Sequence, residues 1–594
     1  MKAALRYLIV VLVLLFARPA GATIGYHISL KNPDQHELHV SMQIPTSDSD
    51  HDLVVAIPAW YALYQVRDFG YRVRDVRATE SSAPAKPLAV QKLDKHTWKI
   101  SVPQTASSVT DVVYTIEWED PGPFNSQLDD HHAFINFAEV LMYVPTRRAE
   151  DTTVQFDDVP DGWRAIAELP QGATPNTFTA AGYDKLVDAP TEIGKFDEFA
   201  FDEGGAHFRV VVDGNGWRRD RLQTNLQRIT KYEMQMMGGP PFTEYTFFFH
   251  FGPYPEVGGG GMEHANCTAI AASTVESATS IAAHEFFHAW NVKRIRPQSL
   301  EPVDFTKEMY TRALWFAEGV TSTYGAYTLE RTGLWTKDQF YGDLAGQISE
   351  LDSRPAHTWQ SVEESSLDAW LEKYDDYRRP DRSISYYNKG QILGVLLDLQ
   401  IRNSTDNHKS LDDVLRRMYA VYAQQGQFYP DSVGVLHEAA VVAEEKFDDF
   451  YHDFVAGTDN IPYQDFLNMA GLELKVEMHK SADLGFWTVA HGPGAPIQVS
   501  QVVPGTTAEA AGLKSGDILL AINGGPVPRY LPGWLHDQTP GEKITLHVHR
   551  DDKELDIKFA LGANDSKRFW IAEMATITEK QRRIREGWLK GTTN

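Results

Sequence analysis

The stretch HEFFHAWNVKRIRP, residues 284–297, contains two histidines four positions apart, with a glutamate directly after the first. Side chains four positions apart lie on one face of a helix, so His284 and His288 could bind one divalent cation. Glu285 could then act as a general base that takes a proton from an attacking water. A helix can also contain this five-residue pattern without binding metal, so the interpretation depends on a third ligand.

Four acidic residues that follow the stretch are candidates for the third ligand: Glu301, Asp304, Glu308 and Glu318. The first three lie among polar or loop residues, where water can solvate them. Glu318 instead lies in the apolar helical run ALWFAEGV, residues 313–320. Burying an unpaired carboxylate costs several kcal/mol, and a bound cation removes that cost. The sequence therefore predicts a metal site formed by His284, His288 and Glu318.

Length and charge limit the classes of function. The chain has 594 residues, 42% of them hydrophobic, which is enough for three or four domains. Its formal net charge of −25 disfavours nucleic acid as a partner, because phosphate backbones are also negative. The single cysteine, Cys267, excludes an intrachain disulfide and is a weak candidate for a nucleophile.

Residues 1–22 have the pattern of a cleaved secretory signal. Lys2 and Arg6 precede an apolar run from Leu8 to Ala17, and a small-residue site follows at residues 20–22. The run is short for a membrane span, although an uncleaved anchor is the alternative. We expect cleavage near Ala22, export to the periplasm or the medium, and no stable membrane insertion afterwards.

The pattern along the chain predicts a multidomain α+β protein. Short alternating segments separated by turn residues indicate an all-β domain over residues 23–195. Residues 196–473 begin with strand-like segments and become mostly helical, so we assign them to one catalytic domain. Short strands return over residues 474–563, and residues 564–594 form a charged tail that we expect to be helical.

Two further segments could contribute to a substrate site. The glycine run at 258–261, followed by Met262 and Glu263, would let a substrate backbone come close while Glu263 held an N-terminal ammonium. A flexible turn with a solvated acid would give the same pattern. Tyr386 and Tyr387 open an apolar helix, and either hydroxyl could donate to an oxyanion or serve only in packing.

The stretches HEFFHAWNVKRIRP, LWFAEGVTSTYG and SYYNKGQILGVLLDLQIR resemble the glycyl aminopeptidase family of PDZ-bearing gluzincin metallopeptidases. The resemblance implies a thermolysin-like catalytic domain that binds one Zn²⁺ per chain through His284, His288 and Glu318, with Glu285 as general base. It implies Tyr387 as oxyanion donor, with Tyr386 as the alternative. It also implies a substrate site at Gly260, Gly261, Met262 and Glu263. His264 stands where some relatives carry asparagine, which leaves recognition of the substrate's amino end open.

The segments LGFW, residues 484–487, and AEAAGLKSGDILLAINGGPV, residues 508–527, resemble a PDZ domain. In that fold the backbone amides of Leu484, Gly485 and Phe486 would receive a peptide carboxylate, so peptide C-termini are possible partners. The leading hypothesis is a zinc aminopeptidase that releases glycine or alanine from peptides with free N-termini. The alternatives are a PDZ-guided zinc endopeptidase of extracytoplasmic protein quality control and a peptide-binding scaffold without catalysis.

Overall fold

The computed structural model describes residues 23–46, 52–61, 64–81, 84–102, 108–252, 259–490, 495–528 and 531–594. The predicted signal segment and Gly258 lie outside these ranges. Within them, no helix combines the length and apolarity that a bilayer crossing requires.

The N-terminal domain is built from β-strands, as predicted. Its elements are β1 (Ile24–Ser29), β2 (Glu37–Thr46), β3 (Asp52–Ala56), β4 (Val73–Glu80), β5 (Lys86–Leu88), β6 (Val90–Lys92), β7 (Thr97–Ser101), β8 (Ser108–Glu117), β9 (Gln127–Leu128), β10 (His132–Ile135), α1 (Phe137–Val140), β11 (Thr152–Asp157), β12 (Arg164–Ala167), β13 (Thr177–Ala180), α2 (Tyr183–Val187) and β14 (Thr191–Gly194).

These strands form three sheets around one core. The largest has the order β13-β11-β1-β2-β8-β4-β5, and the others have the orders β3-β7-β6 and β12-β14-β10-β9. The alternation read from the sequence explains the burial: Ile24, Tyr26 and Ile28 of β1 point into the core, and the residues between them are only half-buried.

The domain that the sequence predicts to be catalytic, called the catalytic domain below, begins with a five-stranded sheet. Its strands are β15 (Asp197–Glu203), β16 (Ala206–Gly214), β17 (Glu244–Phe251), β18 (Gly260–Glu263) and β19 (Cys267–Ala272), in the order β15-β16-β17-β19-β18. The edge strand β18 runs antiparallel to β19, and this edge carries Glu263.

Helices make up the rest of this domain, in agreement with the predicted helical character. They are α3 (Arg219–Met237), α4 (Val275–Glu285), α5 (Thr321–Arg331), α6 (Lys337–Ser353), α7 (Val362–Leu367), α8 (Tyr386–Ser404), α9 (Leu411–Val421), α10 (Asp431–Ala443), α11 (Asp448–Phe450) and α12 (Tyr463–Met469). Two π-helical turns cover Trp315–Val320 and Tyr451–Val455. Short 3-10 turns occur in both domains. In the N-terminal domain they cover Pro33–Gln35, Phe69–Tyr71 and Pro145–Arg147, and in the catalytic domain they cover Phe287–Ala289, Gln298–Leu300, Pro355–Thr358, Asp368–Leu371 and Ala423–Gln425.

The C-terminal part contains the sheet of the predicted PDZ domain, called the PDZ sheet below, and a long two-stranded ribbon. Its elements are β20 (Leu472–Asp483), β21 (Phe486–Val489), β22 (Gln498–Val502), α13 (Thr507–Ala510), β23 (Ile518–Ile522), β24 (Gly525–Pro526), α14 (Leu531–His536), β25 (Lys543–Arg550), β26 (Lys553–Ala560), β27 (Gly562–Glu573) and α15 (Glu579–Lys590). The PDZ sheet has the order β21-β22-β23-β25-β26, with β24 beside β23.

The segment from residue 564 was predicted to be a helical tail, and its first part is instead a strand. β27 pairs antiparallel with β20 over twelve residue pairs, a partner about 90 positions earlier that local sequence cannot reveal. Only α15 has the predicted helix. It packs on the catalytic domain, where the Trp588 indole N–H donates to the Tyr327 hydroxyl at 2.7 Å.

A buried charged group joins the N-terminal and catalytic domains. His132 on β10 and His250 on β17 each contact a different oxygen of Glu192 on β14, at 2.8 and 2.9 Å. These donors could also hold a metal ion, but each imidazole already has its own carboxylate oxygen at hydrogen-bond distance. Both imidazoles are therefore satisfied by hydrogen bonds to Glu192, and these bonds cross the boundary between the two domains.

This group predicts a pH dependence of stability. Burial alone would lower the pKa of His132, but the Glu192 carboxylate raises it to about 9. A raised histidine pKa stabilises the fold fully below the unfolded value of about 6.5, and the effect is lost as pH rises through 9. We expect Glu192→Gln to lower the free energy of unfolding by about 3 kcal/mol at pH 6, and by less at pH 10. Denaturant unfolding at both pH values measures this.

Glu198→Gln is the matched control, because Glu198 pairs with Arg164 rather than with a histidine. Its effect on stability should be the same at the two pH values. The free energies of unfolding of wild type and Glu192→Gln should differ less at pH 10 than at pH 6. A difference that stays constant between these pH values would contradict the assignment of the charge to His132.

Candidate active site

The helix that carries the first histidine is capped at its start. Thr274 and Ser277 form a capping box at the start of α4, which ends at Glu285. The chain then tightens into the 3-10 turn Phe287–Ala289, and this turn carries His288. The two imidazoles still face the same side, with their Nε2 atoms 3.0 Å apart.

Glu318 approaches both histidines from the next helical segment. Its Oε2 lies 3.5 Å from His284 Nε2 and 3.2 Å from His288 Nε2. A tetrahedral zinc ion with bonds of about 2.0 to 2.1 Å holds its ligand atoms about 3.3 Å apart. Two imidazole nitrogens and a carboxylate oxygen at these separations fit zinc in both distance and donor type.

The three other acids considered as ligands lie elsewhere. Glu301 pairs with Arg296, and Asp304 accepts hydrogen bonds from Thr306. Glu308 is exposed. Glu318 is 3% exposed and lies within the π-helical turn Trp315–Val320, where the sequence pattern predicted an ordinary helix. Such turns are rare and occur often at functional sites.

Hydrogen bonds behind the histidines fix which nitrogen faces the site. His288 Nδ1 donates to the backbone oxygen of Asn291 at 2.6 Å, so its Nε2 is free to accept a metal. His284 Nδ1 lies 3.3 Å from the Ser322 hydroxyl. The Asn291 side chain donates to the Phe316 oxygen at 2.9 Å and so ties this segment to the π-helical turn. These roles of Asn291 and Ser322 depend on contacts that cannot be read from the sequence.

The charges of the site oppose the effect of burial. Burial would lower the pKa of His288, but Glu318 raises it to about 10. Burial would likewise raise the pKa of Glu318, and the two histidines hold it well below its usual range. With a proton in the site, His288 and Glu318 form an ion pair, and a metal must displace this proton to bind.

Glu285 and Glu263 lie next to the candidate ligands. Ligand atoms of Glu263, Glu285 and His288 lie within 4.8 Å of one another. Burial raises the pKa of Glu285 well above its usual value. In the described part of the chain its Oε2 has no hydrogen-bond partner, so one carboxylate oxygen is available to a water or a substrate.

Glycine on the edge strand β18 leaves room for Glu285, the candidate general base. A Cβ on Gly261 would overlap the carboxylate group of Glu285, and a Cβ on Gly260 would come within 3.1 Å of the Phe124 ring. Met262 points the other way and is buried in the core of the N-terminal domain. Only the backbone of Met262 could therefore contact a substrate.

We expect Gly261→Ala to lower kcat/KM for a peptide substrate by about 100-fold, because the added methyl group displaces Glu285 by roughly 1 Å. Steady-state hydrolysis by the zinc-loaded variant measures this. Gly342→Ala on α6 is the control, since nothing lies within 4 Å of its added Cβ. Full activity in Gly261→Ala would show that the position of Glu285 does not matter.

Two glycines bring the tyrosine pair to the site. Gly319 in the π-helical turn and Gly390 on α8 touch backbone to backbone, and a Cβ on either would overlap the other segment. Tyr387, in the first turn of α8, then lies with its ring 6.2 Å from that of His284. Tyr387 is 38% exposed, whereas Tyr386 is 3% exposed in the core.

Two other candidates lie away from this site. Cys267 is buried between the two domains, and burial raises the pKa of its thiol, which makes it inert as a nucleophile. Leu484, Gly485 and Phe486 belong to the separate core of the PDZ domain. There the Gly485 N–H donates to the Asp483 carboxylate at 3.2 Å.

Two solved structures are similar to this chain, and the first of them supports the fold. A crystal structure of an aminopeptidase N family protein from Idiomarina loihiensis matches 96% of this chain and all of its own chain, with a TM-score of 0.80 and 22% identity. An M1 zinc metallopeptidase from Deinococcus radiodurans matches 74% of this chain and 95% of its own, with a TM-score of 0.45 and 13% identity.

A curated relative, the periplasmic pH-dependent serine endoprotease DegQ of Escherichia coli, is 29% identical over 126 residues. This match covers 21% of the chain and 26% of DegQ, so the chain spans about a quarter of the length of that relative.

Family models match three parts of the chain in the predicted order. The Peptidase M61 N-terminal domain matches residues 25–195, the M61 glycyl aminopeptidase model matches residues 277–393, and the PDZ domain matches residues 473–537. The resemblance read from the motifs is confirmed: the chain is a peptidase of the M61 glycyl aminopeptidase family, with a PDZ domain after its peptidase domain.

Proposed function

We propose that the chain is a zinc aminopeptidase that removes small N-terminal residues, glycine or alanine, from peptides. The observation that carries this proposal is the convergence of His284 Nε2, His288 Nε2 and Glu318 Oε2 within 3.0 to 3.5 Å, next to Glu263 and Glu285. His284, His288 and Glu318 would hold one Zn²⁺ per chain. Zinc, when bound, supplies a Lewis acid that polarises the scissile carbonyl and acidifies water.

The residues of the chain would divide the remaining work. Glu285 takes the proton of the attacking water through its unpartnered oxygen and delivers it to the leaving amine. Glu263 pairs with the N-terminal ammonium of the substrate, and its place beside Glu285 sets the scissile bond one residue from that end. Tyr387 donates to the developing oxyanion.

The amine pairing is tested with a glycyl p-nitroanilide and its N-acetylated twin. We expect acetylation to abolish cleavage, because it removes the charge that Glu263 recognises. In Glu263→Gln the free-amine substrate should lose activity selectively. Equal cleavage of the two substrates by the wild type would reject the aminopeptidase and favour an endopeptidase, and no chelator-sensitive cleavage of either would favour a scaffold.

Tyr387→Phe should lower kcat by about 100-fold or more, the usual cost of removing one oxyanion donor. KM should change little, because the hydroxyl acts on the transition state rather than on the bound substrate. Steady-state kinetics measures both. Tyr386→Phe is the control and should keep most of kcat, since that ring is buried in the core. A larger loss in Tyr386→Phe would reverse the two roles.

Export and PDZ binding belong to the same proposal. The signal-like residues 1–22 support a periplasmic or secreted location. Peptide C-termini are the proposed PDZ ligand. A bound carboxylate would have to displace Asp483 from the Gly485 N–H.

A further inference from the structure

Asp188 lies where the N-terminal domain meets the two segments that carry the candidate site. It follows α2 directly, and its side chain is 15% exposed. It also lines a cavity of about 210 Å³ together with Glu263, Tyr64, Lys293 and Arg296.

The carboxylate of Asp188 accepts hydrogen bonds from the strand end that follows Glu263. Its Oδ2 accepts from the Ala265 backbone N–H at 3.0 Å, and its Oδ1 lies 3.3 Å from His264 Nδ1. His264 is fully buried. Because His264 and Ala265 come directly after Glu263, these contacts fix the end of β18 from which the Glu263 side chain projects.

The same carboxylate contacts the segment that follows the metal-ligand turn. Lys293 Nζ donates to Asp188 Oδ1 at 2.7 Å, and Lys293 lies five positions after His288. From the N-terminal domain, the Tyr61 hydroxyl donates to the same oxygen at 2.8 Å. The partly buried Asp188 carboxylate thus links the N-terminal domain to the strand of Glu263 and to the segment of His288.

We propose that Asp188 is a positioning residue for amine recognition: it sets Glu263 at the correct distance from the metal ligands, and through it the N-terminal domain becomes part of the substrate site. This inference rests on the proposed aminopeptidase function. A carboxylate misplaced by about 1 Å weakens its pairing with a substrate ammonium. His288 has anchors of its own, since its Nδ1 donates to the Asn291 oxygen and the Asn291 side chain donates to the Phe316 oxygen. We expect His288 for this reason to move less than Glu263. Asp188 therefore acts on substrate binding rather than on the chemical step.

The test compares Asp188→Asn with Asp184→Asn in the full-length, zinc-loaded protein. Asp184 lies on α2, the short helix that ends just before Asp188, but it is more exposed and pairs with Arg148. We expect Asp188→Asn to raise KM for the glycyl p-nitroanilide by about 10-fold or more, with kcat changed less than about 3-fold. The inhibition constant of glycinamide should rise in parallel. Asp184→Asn should match the wild type in all three values.

A purely structural role would lower kcat and zinc content together and leave KM and the inhibition constant of glycinamide unchanged. That result, or an unchanged KM in folded Asp188→Asn, would overturn the proposal. If Asp188→Asn does not fold, Tyr61→Phe removes one contact, and we expect a smaller rise of KM in the same direction. An unchanged KM in Tyr61→Phe would then overturn it.

The two proposals fail differently. If the wild type cleaves free and acetylated substrates equally, the aminopeptidase function is wrong, and the role of Asp188 falls with it. If the wild type cleaves only the free-amine substrate and Asp188→Asn keeps the wild-type KM and inhibition constant of glycinamide, only the positioning role is wrong.

Discussion

Glu285→Gln should bind zinc and yet hydrolyse a glycyl p-nitroanilide about 100-fold to 10,000-fold more slowly than the wild type, the range expected for loss of a general base. The amide keeps the shape of the side chain but cannot accept the proton of the attacking water. Glu285 is buried against Gly261 and is not one of the three candidate ligands, so metal content should not change. Elemental analysis and steady-state kinetics on one preparation measure both quantities.

The control is Glu276→Gln. Glu276 is an exposed glutamate on the same helix, α4, and it pairs with Arg221. This variant should keep wild-type kcat and metal content. If Glu285→Gln retained wild-type turnover, another group would have to be the base. If it lost its zinc, Glu285 would belong among the ligands.

Glu318→Gln should lose both metal and activity. Changing a residue that only supports a metal ligand costs about 10-fold to 100-fold in affinity, so replacing a ligand itself should cost more than about 100-fold. The neutral amide also no longer offsets the charge of the metal. Zinc content after dialysis against a weak chelator measures this, and hydrolysis should fall in proportion.

Glu308→Ala is the matched control, because Glu308 was an alternative third ligand on sequence grounds and is exposed in the structure. It should keep one zinc per chain and full activity. A Glu318→Gln variant with wild-type zinc content would mean that the third ligand is another residue.

The three candidate metal ligands could be selected from the sequence because the evidence for them is local. His284 and His288 lie four positions apart, and Glu318 is conspicuous as a lone acid among apolar neighbours. The structure brings the ligand atoms of these three residues together and places Glu301, Asp304 and Glu308 elsewhere. The choice between Tyr386 and Tyr387 could not be made locally, because it depends on which ring the close approach of Gly319 and Gly390 directs toward His284.

The supporting residues could not be predicted, because their partners are distant in the chain. Asp188 contacts Ala265 and Lys293, which lie 77 and 105 positions away. Asn291 lies in a stretch that resembles the family. Its role, however, is to join His288 to the π-helical turn, and this depends on contacts that form only in the fold. The strand β27 was missed for the same reason, since its ladder with β20 forms only after the whole PDZ domain has been placed between them.

The central claim is that one zinc ion at His284, His288 and Glu318 makes this chain an active peptidase. The most direct measurement strips the purified protein of metal with a chelator, adds zinc in fractions of an equivalent, and records hydrolysis of a glycyl p-nitroanilide at each step. The account predicts a linear rise that stops at one equivalent per chain, and no rise in Glu318→Gln. Full hydrolysis by the stripped protein, or a rise of the same size in Glu318→Gln, would contradict it.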